Sequence, residues 1–399
     1  MAGILFAWEL GANLGHLTRD LPLARACRDG GHQVVVAASN LRTVVKLMGQ
    51  EGFTLVQAPI LKSNIQRNTS PVCYPDMLLH EGYDDVDALN AAVTGWEGLI
   101  DLIRPSALVY NHAPTALIAA RIKNLPALMV GTGFEIPLAS SSQPSFRPWQ
   151  GIPQSVFVEA EKLVTSHINR LLSLRGSNVL ERFADLFFAP ATYLATFPEL
   201  DPFGPRGNVT YIGPLFALAD VPVVDWQGPK TKRRIFAYLR PAMAACEQIL
   251  RVLQDVDAEV ICAIPGAPPD WLHRFPTLRI VEHAIHLERI LPSADVVITY
   301  GATTIATALL AGVPVLLVPQ VVEQFLAGIP LEKTGAGLML RDPRSMDQLT
   351  ILLQNLLNIP SYRQAASAFA LRHAKFNGQQ ACRKLMDAVE LAMDSSKEK

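Results

Sequence analysis

Short runs of almost unbroken apolar residues recur along the chain with helix-length stretches between them: Ile4 to Trp8, Gln33 to Ala38, Leu55 to Ala58, Ala107 to Tyr110 and Ala127 to Gly131. A strand that alternates apolar and polar residues shows one face to water, whereas a strand apolar throughout is covered on both faces. Strands of the second kind, separated by helices, build a doubly wound parallel sheet. The pattern breaks and restarts with Ile235 to Leu239, Glu259 to Ile264, Arg279 to Val281, Val296 to Thr299 and Val315 to Val318. This predicts an α/β chain of two facing doubly wound, Rossmann-like domains, and 399 residues suffice for each to bury its own core.

The break falls between Pro214 and Lys232, where Asp220, Pro222, Asp225, Gly228 and Pro229 precede a basic run, Lys230 to Arg234. We place an N-terminal domain at 1–215, a linker at 216–232 and a C-terminal domain at 233–399. The last helices, about Ser361 to Met393, are expected to cross back to the first domain. The first crossover helix is expected to start near Asp20, with Pro22 in its first turn, and to end at Gly30 and Gly31.

Composition narrows the function classes. Lys and Arg number 35 against 36 Asp and Glu, a formal net charge of −1, so no global field favours nucleic acid. Cys27, Cys73, Cys246, Cys262 and Cys382 lie far apart without Cys-x-x-Cys spacing, as expected of reduced thiols rather than a disulfide framework or zinc site. No run reaches the roughly 18 apolar residues that span a bilayer, and the apolar opening lacks the basic leader of a signal peptide. A cytoplasmic location is expected, with peripheral membrane contact left open.

In open α/β sheets, ligands bind at the carboxyl ends of strands, where helix N-termini offer N–H groups. One such place is Gly11-Ala-Asn-Leu-Gly15-His16, after the first strand. A histidine there titrates near neutrality and suits general-base removal of a proton from an acceptor hydroxyl; a loop-capping histidine is the alternative. A second is Asp295 to Thr304, where a strand, a small-residue turn and a helix make an anion site at Gly301, with the hydroxyls of Thr303 and Thr304 adding bonds; an ordinary capped turn would look the same. After the next strand, Glu323 and Gln324 set a carboxylate beside an amide at the spacing of vicinal sugar hydroxyls. The segment Ser140 to Pro153, with Phe146 and Trp149, is a long loop read as acceptor-binding or as a packed insertion, and a helix from about Ser155 to Leu174 follows it.

Three stretches carry a family resemblance: FPELDPFGPRGNVTYIGPLF from Phe197, ERILPSADVVITYGATTIATALLAGVPVLLVPQVVEQF from Glu288, and LEKTGAGLML from Leu331. With the Gly15-His16 opening, they resemble the family 1 glycosyltransferases, UDP-glycosyltransferase-like enzymes of the GT-B fold, here diverged in the phosphate loop. The resemblance implies an acceptor-binding first domain, a nucleotide-sugar-binding second domain, and inverting, metal-independent sugar transfer. It implies His16 as catalytic base, Glu323 and Gln324 on the sugar hydroxyls, and Gly301 and Thr304 on the phosphates.

The departures are specific. The family's His-Gly-Gly-x-Gly-Thr becomes Thr299-Tyr300-Gly301-Ala302-Thr303-Thr304, and its Ser-x-Gly-Thr becomes Tyr238-Leu239-Arg240-Pro241. Arg240 is then a compensating diphosphate clamp, or a surface arginine. The acidic residue that orients the base is replaced by Asn111, which accepts a hydrogen bond but supplies no charge; His112 beside it assists on the acceptor side or packs. The aromatic that stacks on the nucleotide base falls near Ala284, which puts His283 on the donor side. No cofactor is expected beyond a UDP- or TDP-linked nucleotide-sugar co-substrate. The remaining partner is a small-molecule or lipid-like acceptor, with no nucleic acid. A catalytically silent binding or scaffold relative, a nucleotide-sugar epimerase and, on fold grounds alone, a dehydrogenase are the competing readings.

Overall fold

The computed structural model describes residues 2–11, 14–65, 67–140, 142–189, 191–215, 217 and 222–395. Ala12 and Asn13 beside His16, Ser141, residues 216 and 218–221 of the linker with Asp220, and the end of the polar tail lie outside them.

The chain divides into two units: 1–195 with 206–217 and 378–399, and 196–205 with 218–377. The first runs β1 (Gly3–Trp8), α1 (Leu14–Asp29), β2 (Gln33–Ala38), α2 (Leu41–Met48), β3 (Thr54–Gln57), α3 (Tyr74–Leu78), α4 (Val86–Ile103), β4 (Ala107–Asn111), α5 (Pro114–Ile122), β5 (Ala127–Gly131), α6 (Gln154–Leu174), β6 (Thr192–Leu194) and β7 (Thr210–Tyr211). The second runs β8 (Arg233–Tyr238), α7 (Cys246–Gln254), β9 (Ala258–Ala263), α8 (Trp271–Arg274), β10 (Arg279–Val281), α9 (Leu287–Ile290), β11 (Val296–Thr299), α10 (Ala302–Leu310), β12 (Val315–Leu317), α11 (Val322–Lys333), β13 (Gly337–Met339), α12 (Met346–Asn358) and α13 (Pro360–Arg372). The last helix, α14 (Gly378–Ser395), belongs to the first unit.

Both sheets are parallel, ordered β3-β2-β1-β4-β5-β6-β7 and β10-β9-β8-β11-β12-β13. In each, the chain winds outward from its first strand and returns to that strand's other side, so the switch points are β1/β4 and β8/β11. The continuous apolar runs are explained by burial on both faces. In the second unit Ile235 and Ala237 face one hydrophobic cluster, and Phe236 between them faces another.

The long apolar strands fall where the sequence predicts them. Not foreseen are β6, β7 and β13, of three residues or fewer, too short to show a pattern. The first helix requires correction: it begins at Leu14, not near Asp20, and Pro22 is interior to it. An interior proline strands the carbonyl four residues earlier, at a cost of about 3 kcal/mol. Here that carbonyl, on Thr18, accepts the N–H of Ala217 at 2.9 Å, so the helix continues.

The unit boundaries also differ from 1–215, 216–232 and 233–399. Residues 196–205 join the second unit because Phe197 packs edge-on against Phe369 at 5.4 Å and Glu199 meets His373 at 3.0 Å. The later half of the linker is tied to that unit as well: Val224 is in its core, Trp226 donates to the Ile290 carbonyl at 2.9 Å and Lys230 pairs with Asp295 at 2.9 Å. The last helices break between α13 and α14. The second of them lies on α1, with Cys27 Sγ 3.5 Å from Met386 Sδ.

Candidate active site

At the β1/β4 switch point of the first unit, α1 delivers His16 and the end of β4 delivers Asn111 and His112. Because the helix starts at Leu14, His16 sits in its first turn, and Arg19 and Asp20 follow it on the same face at i+3 and i+4. All three are buried. A buried polar group has to find partners or lose its hydration without return, and these find one another.

Asn111 Oδ1 lies 2.8 Å from His16 Nδ1 and also accepts from Arg19 Nη2; Asn111 Nδ2 donates to the His16 carbonyl at 3.0 Å and to Asp20 Oδ2 at 2.6 Å. Glu135, in the turn after β5, completes the cluster. Its carboxylate takes Arg19 Nη1 at 2.8 Å and the Thr132 N–H at 2.8 Å, and it lies 3.3 Å from His16 Nδ1. Gly131 makes that turn possible, since a Cβ there would stand 2.8 Å from Glu135 Oε2. Gly11, at φ +86°, does the same for the imidazole: a Cβ on it would overlap His16 Nε2. Gly15, by contrast, has open space around it.

An Asn111 oxygen can only accept, so His16 carries its proton on Nδ1 and its lone pair on Nε2, which faces Gly11. Burial pushes the imidazole below its ordinary value and Arg19 pushes the same way, against Glu135 and the Asn111 bond. Burial pushes Asp20 up to about 7, against Arg19 and Asn111. For Glu135 burial acts upward, but the Arg19 guanidinium and the two neighbouring imidazoles outweigh it and hold the carboxyl well below the usual range. The ring is therefore neutral at pH 7, next to an ionised carboxylate.

His112 has left-handed backbone at φ 49° and is 4% exposed. Its ring stacks on His16 at 5.9 Å, and neither ring nitrogen has a hydrogen-bond partner among the described residues. Burial pushes it down to about 3, so it is a neutral donor and acceptor. The N-terminus of α5, just beyond, is closed to anions: the Glu9 carboxylate already accepts the N–H groups of Thr115 and Ala116 at 2.9 and 2.7 Å.

The loop expected to bind the acceptor is pinned. Phe146 is 0% exposed against Phe134 at 5.2 Å, and its N–H donates to the Val72 carbonyl. It anchors the loop in the core, a correction to its reading as a contact residue. Trp149 is the loop's exposed aromatic, at 55%.

At the β8/β11 switch point of the second unit, Arg240 follows β8 and Gly301 caps α10. The Arg240 guanidinium lies 4.5 Å over the Tyr300 ring, and Tyr300 stacks on Tyr238 at 5.8 Å. The cation is thereby held beside the residue that leads into the helix. The Gly301 N–H turns back to Thr299 Oγ1 at 3.3 Å, and the first helical bond runs from Ile305 to the Gly301 carbonyl. The N–H groups of Ala302, Thr303 and Thr304 precede that bond, at the positive end of the helix dipole. Thr304 is buried and Thr303 half-buried.

Glu323 and Gln324 lie in the first turn of α11 rather than in its loop. The Gln324 carbonyl is engaged, accepting the Gln320 N–H at 2.7 Å, so its amide nitrogen is the part able to meet a ligand. His283 lies after β10 with Nδ1 2.9 Å from the Ala284 carbonyl.

Residues 247–376 match the family model described as the C-terminal domain of erythromycin biosynthesis protein CIII-like proteins. A PGL/p-HBAD biosynthesis glycosyltransferase of Mycobacterium tuberculosis is 26% identical over 392 residues, covering 92% of this chain and 87% of that protein. The aclacinomycin-T 2-deoxy-L-fucose transferase of Streptomyces galilaeus is 24% identical over 401 residues, covering 88% of each. The structure of a spinosyn rhamnosyltransferase complexed with thymidine diphosphate aligns with TM-score 0.67 at 17% identity, over 97% of this chain and all of that one. The chain is a glycosyltransferase with the GT-B fold, similar to those of family 1. These relatives do not favour the epimerase or scaffold readings. The glycosyltransferase carries His16 at the switch point of one unit and Arg240 with Gly301 at that of the other. Sequence reasoning missed Arg19, Asp20 and Glu135. The i+3 and i+4 spacing from His16 would have revealed the first two, had α1 been started at Leu14. Among the described residues no helix is long and apolar enough to cross a membrane.

Proposed function

We propose that this glycosyltransferase takes a sugar from a UDP- or TDP-linked donor and transfers it, with inversion and without a metal, to a hydroxyl of a small-molecule or lipid-like acceptor. His16 Nε2 removes the hydroxyl proton while the oxygen attacks the anomeric carbon. The bond from that carbon to the diphosphate oxygen breaks, and the nucleoside diphosphate leaves with the electron pair. The observation that carries this is the ring's fixed orientation: Nδ1 turned to Asn111, Nε2 over Gly11, in a site that keeps the imidazole neutral. Asn111 sets the tautomer. Arg240 with the first turn of α10, through Gly301, Thr303 and Thr304, takes the developing diphosphate charge, the work a metal would otherwise do. Glu323 and the Gln324 amide orient the sugar, His283 lies on the donor side, and His112 and Trp149 serve the acceptor. The thymidine diphosphate bound by the spinosyn rhamnosyltransferase supports TDP as the donor nucleotide.

Incubation with TDP- and UDP-glucose and a panel of hydroxylated acceptors tests the reading: a glycoside of configuration opposite to the donor is expected by NMR. A product of retained configuration would sink the inverting mechanism. Replacing Arg240 with Leu should weaken thymidine diphosphate binding by about ten- to a hundredfold in calorimetry, the worth of a charge-assisted bond to a charged group. Replacing His112 with Phe keeps the ring stack but removes both nitrogens. The KM for the acceptor should rise by roughly tenfold with donor affinity unchanged, if the acceptor fills those unmade hydrogen bonds.

A further inference from the structure

We propose that Glu135, and not Asn111, is the charge partner of His16, so that orientation and charge, which one acidic residue supplies together in the family pattern, are divided here between two positions. The inference rests on His16 being the base. When Nε2 takes the acceptor's proton the ring becomes an imidazolium. Asn111 Oδ1 can keep its bond to Nδ1, but it answers a full positive charge with a dipole only.

The Glu135 carboxylate, 3.3 Å from the same Nδ1 and as deeply buried as the ring, is a full negative charge at that place. It is also held there. Thr132 donates to Oε2, and the hydroxyls of Tyr110 and Tyr74 donate to the Glu135 carbonyl at 2.8 and 3.3 Å. Arg19 contacts both carboxylate oxygens and Asn111 Oδ1, coupling the two halves of the divided role. The other titratable groups around the ring are less suited. Asp20 bonds to Asn111 Nδ2, Glu9 is occupied at α5, and His112 adds no negative charge. Glu135 is a positioning residue, since it acts through His16.

The test uses the full chain, with TDP-glucose as donor, the fastest acceptor of the panel above and TDP release as readout. Glu135→Gln, which keeps the shape and removes the charge, is expected to lower kcat by about ten- to a hundredfold and leave both KM values within about threefold. Adding Asn111→Asp to that variant, which moves the carboxylate to the other contact of Nδ1, is expected to recover at least tenfold. A purely structural role would not be rescued by a charge placed at a different residue.

Because Glu135→Gln leaves Arg19 facing an amide, Arg19→Gln/Glu135→Gln is measured beside it. That pair removes both charges, and it should bind thymidine diphosphate normally while kcat stays low. A Glu135→Gln enzyme within threefold of wild type, or a loss that Asn111→Asp does not reverse, overturns the proposal. His16→Ala run in parallel separates the two readings: full turnover there means the base assignment failed, and loss there with none in Glu135→Gln means only this inference failed.

Discussion

Replacing His16 with alanine lowers kcat by about 10²–10⁴-fold, while thymidine diphosphate, which the proposed function gives to the other unit's residues, binds with unchanged affinity. The magnitude is that of a general base in proton transfer at the transition state. The variant removes the group whose lone pair faces Gly11. Water in the space the ring vacates supplies a far weaker base. The pH dependence has a defined sign. The neutral ring is the active form, and burial lowers the imidazole's ordinary value of 6.5. The wild-type acid limb of kcat therefore falls below pH 6.5, whereas residual turnover in His16→Ala shows no such limb. Stopped assays across pH 4.5 to 8, with calorimetric binding of thymidine diphosphate as the folding check, read both quantities; turnover equal to wild type would end the base assignment.

Replacing Arg19 with methionine is the largest stability change expected. Arg19 and Glu135 form an ion pair with both side chains below 5% exposure. Removing one partner of a buried pair leaves the other charged without compensation, which costs about 3–5 kcal/mol. Asn111 Oδ1 also loses a donor. The loss depends on pH. In the wild type the Glu135 carboxyl is depressed, so its contribution is present above the unfolded value of 4.5 and is lost as pH falls through the folded value. Without Arg19, burial raises the same carboxyl, and the penalty exists only where the group would be ionised in the unfolded chain. The gap between variant and wild type should be widest near pH 7 and shrink below pH 4.5. Urea unfolding followed by far-UV circular dichroism at pH 7 and pH 4 measures it, and a difference under 1 kcal/mol at pH 7 would show that the pair is not worth its burial.

The fold was legible because its signal is local. Continuous apolar runs such as Gln33–Ala38 and Val296–Thr299 report burial on both sheet faces without knowledge of any partner. Where the local signal is ambiguous, contacts distant in sequence decide. Pro22 suggested a helix start because proline is favoured in a first turn, but Ala217, 195 positions along the chain, supplies the N–H that lets the helix run through it. A helix start near Asp20 hides Arg19 and Asp20, whose relation to His16 exists only if His16 is already helical. Phe146 read as a contact aromatic because its loop is polar, and only packing against Phe134 revealed it as an anchor.

From the sequence came two doubly wound halves, with His16 between the first strand and its helix and Gly301 between a later strand and its helix, each read from strand-turn-helix spacing; Arg240 came from the departures within the family resemblance. Only the tertiary structure decided what surrounds His16. Glu135 is 119 residues from His16 and lies in a turn whose residues carry no periodic pattern. Asn111, which in sequence reads as a lost charge, is in the folded chain one contact of a cluster that still contains a carboxylate. Electrostatic partners are chosen by distance in space and by what burial leaves unsatisfied, and neither is written in the order of residues.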